Sequence, residues 1–142
     1  MSGPIVVVDA SAGVEIVANT LRGARLRRLI PRGASRDVPE HFFVEAAAVL
    51  RRWELTGRLS PDQSAAALRR LVRWRGERYP LTPLLGDAWA YRNNLVVADA
   101  LYVVLAVRLG ADLLTDDYRL AKAPTLPRGL TVLTLPGGSL PP

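Results

Sequence analysis

The chain has 142 residues, with 19 Lys and Arg against 13 Asp and Glu for a formal charge of +6, and 49% of its residues are hydrophobic. That length predicts one domain with a sizeable core, and so apolar a composition excludes an intrinsically disordered chain. With no cysteine and a single histidine, His41, disulfides, thiol nucleophiles and zinc sites built on thiolates or several histidines are excluded. Any metal must be held mainly by oxygen.

The β-branched run at Ile5, Val6, Val7 and Val8 predicts a buried parallel strand ending at Asp9. Ser11 is expected to cap a helix reaching about Thr20, and a basic helix follows over 21–30, closed by Pro31 and Gly33. Val38 and Pro39 read as a short strand or its exit, and residues 40–53 as an alanine-rich helix ending near Gly57. Ser60, Pro61 and Gln63 spell a capping box with proline in the first helical position. That helix is expected to reach about Arg75 and to bury a stripe of Ala67, Leu68, Leu71 and Val72. A short strand at 79–82, helices at 83–91 and 98–109, a strand at 113–115, a helical turn at 119–122 and a last strand at 130–135 complete the order. Alternating strands and helices predict an α/β fold, three layers with a mostly parallel central sheet, over residues 1–135, followed by a Pro/Gly-rich tail at 136–142.

The most membrane-like stretch, 95–111, carries Asp99 and Arg108 and is too interrupted to span a bilayer. No basic region precedes the first apolar run, so no targeting segment is expected and a cytoplasmic location is. Every basic residue but Lys122 is an arginine, and Arg22, Arg25, Arg27, Arg28, Arg32 and Arg36 follow one another with no acid between. Such a run suits a polyanion, and equally a solvated helix face.

In a parallel sheet, ligands bind beyond the carboxyl ends of the strands. Asp9 and Asp117 stand just there, after Val8 and after Thr115 and Asp116. Asp99 and Glu45 lie inside apolar helical stretches, where a charge costs several kcal/mol unless something pairs with it. Taken singly, such acids serve as helix caps or first-turn residues. Should the four converge, their repulsion calls for a divalent cation, and oxygen-only ligation selects Mg²⁺, with Mn²⁺ as a substitute.

With these residues in order, the chain resembles the PIN-domain ribonucleases, and among them the VapC-type toxins of prokaryotic toxin-antitoxin pairs. The likeness runs through Val6 to Ser11, Pro39 with Glu45, Asp99 to Tyr102, and Leu113 to Asp117 with Arg119, Leu120 and Ala121. By resemblance, Asp9, Glu45, Asp99 and Asp117 are the catalytic and metal-holding acids, Thr115 is the hydroxyl before the last acid, and Asp116 and Ser11 are secondary candidates. The resemblance further implies a PIN-like fold, a Mg²⁺-dependent endoribonuclease that cuts structured RNA, transfer or ribosomal, by metal-activated water, a homodimer, and an antitoxin protein as partner. Cleavage of that kind leaves a 5′-phosphate and a 3′-hydroxyl. Ala46, Ala47 and Ala48 depart from the pattern, since many relatives carry a polar residue after the helix glutamate. They favour an alternative, a PIN-like module that binds RNA or protein without cutting. A phosphoacceptor receiver domain is a third reading, but it wants a lysine after a late strand, and Lys122 follows a helical turn. His41 is expected as a capping or surface residue, and Trp53, Trp74 and Trp89 as packing residues.

Overall fold

The computed structural model describes residues 3–137. Five short strands form one parallel sheet: β1 (Ile5–Val8), β2 (Ser35–Pro39), β3 (Arg78–Tyr79), β4 (Asp112–Leu114) and β5 (Val132–Leu133), in the order β3-β2-β1-β4-β5. The chain runs outward from β1 through β2 to β3, then returns to the other side of β1 for β4 and β5. The order therefore reverses between β1 and β4, where a crevice opens at the carboxyl end of the sheet.

Helices α1 (Ala10–Val17) and α2 (Leu21–Arg28) join β1 to β2, and α3 (His41–Leu55) and α4 (Pro61–Val72) join β2 to β3. After β3 come α5 (Thr82–Trp89) and α6 (Val97–Leu109), and after β4 the single turn α7 (Tyr118–Ala121). Helices α1 to α4 pack on one another, and α5 packs on α6, which lies across β1, β2 and β4; the right-handed rule for such crossovers sets the two groups on opposite faces of the sheet, the expected three layers. The centre of the core is β1 and α6. Val6, Val7 and Val8 are fully buried, and α6 is apolar all round from Ala100 to Ala106 because β1, β2 and β4 cover one side and α5 another. Gly110 ends α6 in the left-handed conformation.

The capping box on α4 is as expected, with Ser60 Oγ accepting from the Gln63 amide and Gln63 Oε1 from the Ser60 amide. Four expectations are corrected. Ser11 lies within α1 and does not cap it; Asp9 holds the cap position. Helix α4 stops at Val72, and Leu68 and Val72 are exposed while Ala67 and Leu71 are buried, because α4 packs mainly on α1 and α3. Strand β5 is confined to Val132 and Leu133, paired with Leu113 and Leu114. Trp74 is buried, but Trp89 is 58% exposed with the Arg92 guanidinium over its ring. Of the expected tail, residues 138–142 lie outside the described residues. Among the described residues, no helix is long and apolar enough to cross a membrane.

Candidate active site at the carboxyl edge of the sheet

Asp9 continues β1 past its last residue, its amide donating to the Leu114 carbonyl on β4. The residue is 5% exposed and its carboxylate caps nothing. Instead Oδ2 accepts from Ser11 Oγ at 2.8 Å and from Thr115 Oγ1 at 2.6 Å, so both hydroxyl protons are committed to it. The same hydroxyl oxygens accept in turn: Ser11 Oγ from the Asp116 amide and Thr115 Oγ1 from the Asp117 amide, each at 3.0 Å. The loop after β4 is thereby fastened to the start of α1 across the crevice. Burial raises the pKa of Asp9 above the ordinary carboxylate value; the two hydroxyls oppose the shift, and Glu45 and Asp117 add to it.

Asp99 stands in the first turn of α6, where the helix dipole favours an acid. Even so its pKa is pushed up to about 7, first by burial and then by the charges of Asp9, Asp117 and Glu45. Asp117 caps α7, with Oδ1 accepting from the amides of Arg119 and Leu120. The cap engages one oxygen and leaves the charge facing Asp9 and Asp99. Among the described residues, none of Asp9, Asp99 and Asp117 has a lysine or arginine partner.

Glu45, on α3, accepts from the Tyr102 hydroxyl at 2.6 Å, and His41 Nε2 lies 3.6 Å from the same oxygen. Tyr102 is fully buried, and burial together with Asp9 and Glu45 holds its hydroxyl far above the ordinary tyrosine range, as a proton donor. Spacing along α6 puts Tyr102 three residues after Asp99, on the same face. The polar support that Ala46, Ala47 and Ala48 cannot give Glu45 thus comes from α6. His41 is not a surface residue: Nε2 donates to the Ala98 carbonyl at 2.8 Å and its ring lies 4.6 Å from that of Tyr102. With its Nε2 proton so committed, His41 joins α3 to the start of α6.

Of the secondary candidates, Ser11 and Thr115 sit against Asp9, whereas Asp116 is gripped by Arg22, whose Nε lies 2.8 and 2.7 Å from its two oxygens. That pair ties α2 to the end of β4, and sequence reasoning found Asp116 without Arg22, 94 residues away. Among the described residues, no three His, Cys, Asp or Glu side chains gather as a ready-made metal cage. The donors present are nonetheless all oxygen, partly desolvated and unneutralised, and Mg²⁺ keeps most of its waters and takes only one or two carboxylates. The residues fit such an ion.

Comparison with known proteins bears on the family of the chain. The sequence profile of the PIN domain matches residues 6–126. Ribonuclease VapC1 of Mycobacterium tuberculosis is 39% identical over 122 residues, 85% of this chain and 92% of the relative. Ribonuclease VapC3 of the same species is 42% identical over 119 residues, 83% of this chain and 86% of the relative. A solved toxin-antitoxin complex from Klebsiella pneumoniae contains a chain of similar fold, with a TM-score of 0.61 to 0.63 typical of several such matches and 0.62 in this case, at 12% identity over 91% of this chain and 96% of that one. The match over most of the sequence, together with a parallel sheet whose switch point is ringed by acids, places the chain in the PIN-domain family, among the VapC ribonucleases.

Proposed function

We propose that this chain is a metal-dependent endoribonuclease that acts as the toxin of a toxin-antitoxin pair and cuts structured RNA, transfer or ribosomal. The observation that carries this reading is the set of Asp9, Asp99 and Asp117: the charge of Asp117 raises the pKa of both Asp9 and Asp99, Asp9 raises that of Asp99 further, and no lysine or arginine pairs with any of the three among the described residues. Asp9, Asp99 and Asp117 would hold Mg²⁺ or Mn²⁺, with Glu45 acting through water. Such an ion, when bound, would supply a water of lowered pKa and a positive charge against a phosphoryl oxygen. Thr115 and Ser11 fix the Asp9 carboxylate so that it is in place before substrate arrives. Tyr102 and His41 hold Glu45 and the first turn of α6, and so the relative placing of Glu45 and Asp99. No nucleophilic side chain is required, and the products are a 5′-phosphate and a 3′-hydroxyl.

An antitoxin protein, a second copy of the chain in a homodimer and a cytoplasmic location complete the proposal; kinship to named VapC ribonucleases supports them. Exposed apolar residues such as Leu85, Trp89 and Val96 offer surface for a protein partner. The test is cleavage of RNA by purified protein with Mg²⁺ or Mn²⁺, beside the same reaction in EDTA and beside an Asp99→Asn variant prepared identically. Cutting by the wild type alone supports the reading. Equal cutting by the variant overturns it, and no cutting of any RNA turns the assignment to a binding module.

A further inference from the structure

At the amino end of the sheet, opposite the acids, a cavity of about 500 Å³ opens between the end of α1, the end of α4 and the start of β2. Arg27, Arg36, Arg70, Arg73 and Arg75 line it, with the buried indole of Trp74, and no acid does. Among the described residues, Arg27, Arg36, Arg73 and Arg75 have no ion pair and no side-chain hydrogen bond. Arg70 directs Nε to the Val17 carbonyl at 2.6 Å, which offsets the negative end of α1 that would otherwise face an incoming anion. Burial and the charge of Arg27 both hold the Arg36 guanidinium below its ordinary range.

The backbone that carries two of these arginines is held against β2. Trp74 Nε1 donates to the Arg36 carbonyl at 2.9 Å. Two residues on, Gly76 has a φ of +130°, and a Cβ there would stand 2.0 Å from the same Arg36 carbonyl oxygen. Only glycine permits so close an approach, so the turn carrying Arg73 and Arg75 is seated directly on β2. The result is a concave site of ordinary ligand size with several guanidinium groups carried around it. Like charges so gathered repel, and an anion of two or more charges offsets that repulsion.

We infer that this arginine-lined cavity is a phosphate-binding site, distinct from the acid cluster, that takes the phosphates of an RNA chain or of a free nucleotide. Planar guanidinium forks match phosphate oxygens in pairs. Strand β1 separates the two ends by four residues, roughly 13 Å at about 3.3 Å per residue, so a phosphate held here is not the one held at the acids. The inference stands whether or not the acids cut RNA, because its test reads binding without cleavage.

The test titrates the full chain, in EDTA, with inorganic pyrophosphate, with ADP and with a short single-stranded RNA, by calorimetry. The Arg36→Gln/Arg73→Gln double variant is compared with an Arg52→Gln/Arg128→Gln double variant, which loses the same charge outside the cavity. The expected result is a weakening of about tenfold for each cavity arginine removed, since each lost charge-assisted bond is of that order, and little change in the control. Loss confined to RNA identifies the RNA chain as the source of the phosphate, and loss confined to pyrophosphate and ADP identifies a free nucleotide. Absence of binding by every probe, or equal weakening in the two double variants, overturns the inference. Should the Arg36 substitution lower the melting temperature, Arg73→Gln alone, at an exposed position, carries the comparison.

Discussion

At the carboxyl end of the sheet the charged groups arrive from inside the core, while at the amino end they arrive from outside it. Asp9 follows three fully buried valines, and Asp99 stands in the first turn of α6, whose residues from Ala100 to Ala106 are all buried. Their desolvation is a by-product of the strands and helix that place them, and the hydroxyls of Ser11 and Thr115 relieve only Asp9. The arginines of the other end come from α2, β2 and α4 and the turn after it, and each but Arg36 is exposed. There the like charges are brought together by a tryptophan and a glycine that seat one turn on β2. Concentrated charge can thus be built by burying it or by steering exposed side chains to one place, and only the first leaves a mark on the local sequence.

The sharpest way to break this comparison is at Asp99. Asp99→Asn keeps the shape of α6 and is expected to lower RNA cleavage by about 10³-fold, the several kcal/mol that a bound metal contributes to such a transition state. Retained activity would remove the acids from the chemistry. At the opposite end, Gly76→Ala would drive a methyl group to 2.0 Å from the Arg36 carbonyl at a φ of +130°. A destabilisation of more than about 3 kcal/mol in guanidinium unfolding is expected. A neutral result would show that the turn is free to lift off β2, and the arginines with it.

The sequence shows the first end far better than the second. Acids that end or interrupt an apolar run are conspicuous, and Asp9, Glu45, Asp99 and Asp117 stand out in the sequence; so does the capping box of α4, whose signals lie within a few residues of each other. A serine two residues after an aspartate at a helix start suits either a cap or a bond to that carboxylate, and in the folded chain Ser11 Oγ lies against Asp9 and against Thr115, 104 residues away. The Tyr102 bond to Glu45 spans 57 residues and the Arg22 bond to Asp116 spans 94, distances that no local pattern encodes. The cavity arginines lie between positions 27 and 75 among many other arginines, so composition hid them.

Smaller changes sharpen the picture of the acidic end. Thr115→Val keeps the volume but removes the 2.6 Å bond to Asp9 and the acceptor for the Asp117 amide. A loss of about 1–3 kcal/mol in stability is expected from buried groups left without a partner, together with slower cleavage. An unfolding curve identical to wild type would mean that Ser11 alone holds Asp9. Tyr102→Phe keeps the ring beside His41 and removes only the hydroxyl on Glu45, for about 1 kcal/mol of stability. If Glu45 contributes to catalysis, cleavage should fall more than stability does, and parallel small losses would leave Tyr102 as packing alone.

The mildest effect concerns protons. In the folded chain Asp99 releases its proton near pH 7, whereas in the unfolded chain a carboxyl does so near 3.8. Between those values the folded state binds more protons than the unfolded state, so stability contributed by this group declines as pH rises through that window. Asn cannot titrate, so the melting temperature of the metal-free wild type relative to Asp99→Asn should fall by a few degrees between about pH 5 and about pH 8, screened in part because Asp99 is not fully buried. Mg²⁺ added at the upper pH should raise the wild type and leave the variant nearly unmoved, since binding to the folded state stabilises it by mass action. A pH-independent difference would mean that Asp99 is already relieved of its neighbours' charge, and the case for a cation held among the acids would fall with it.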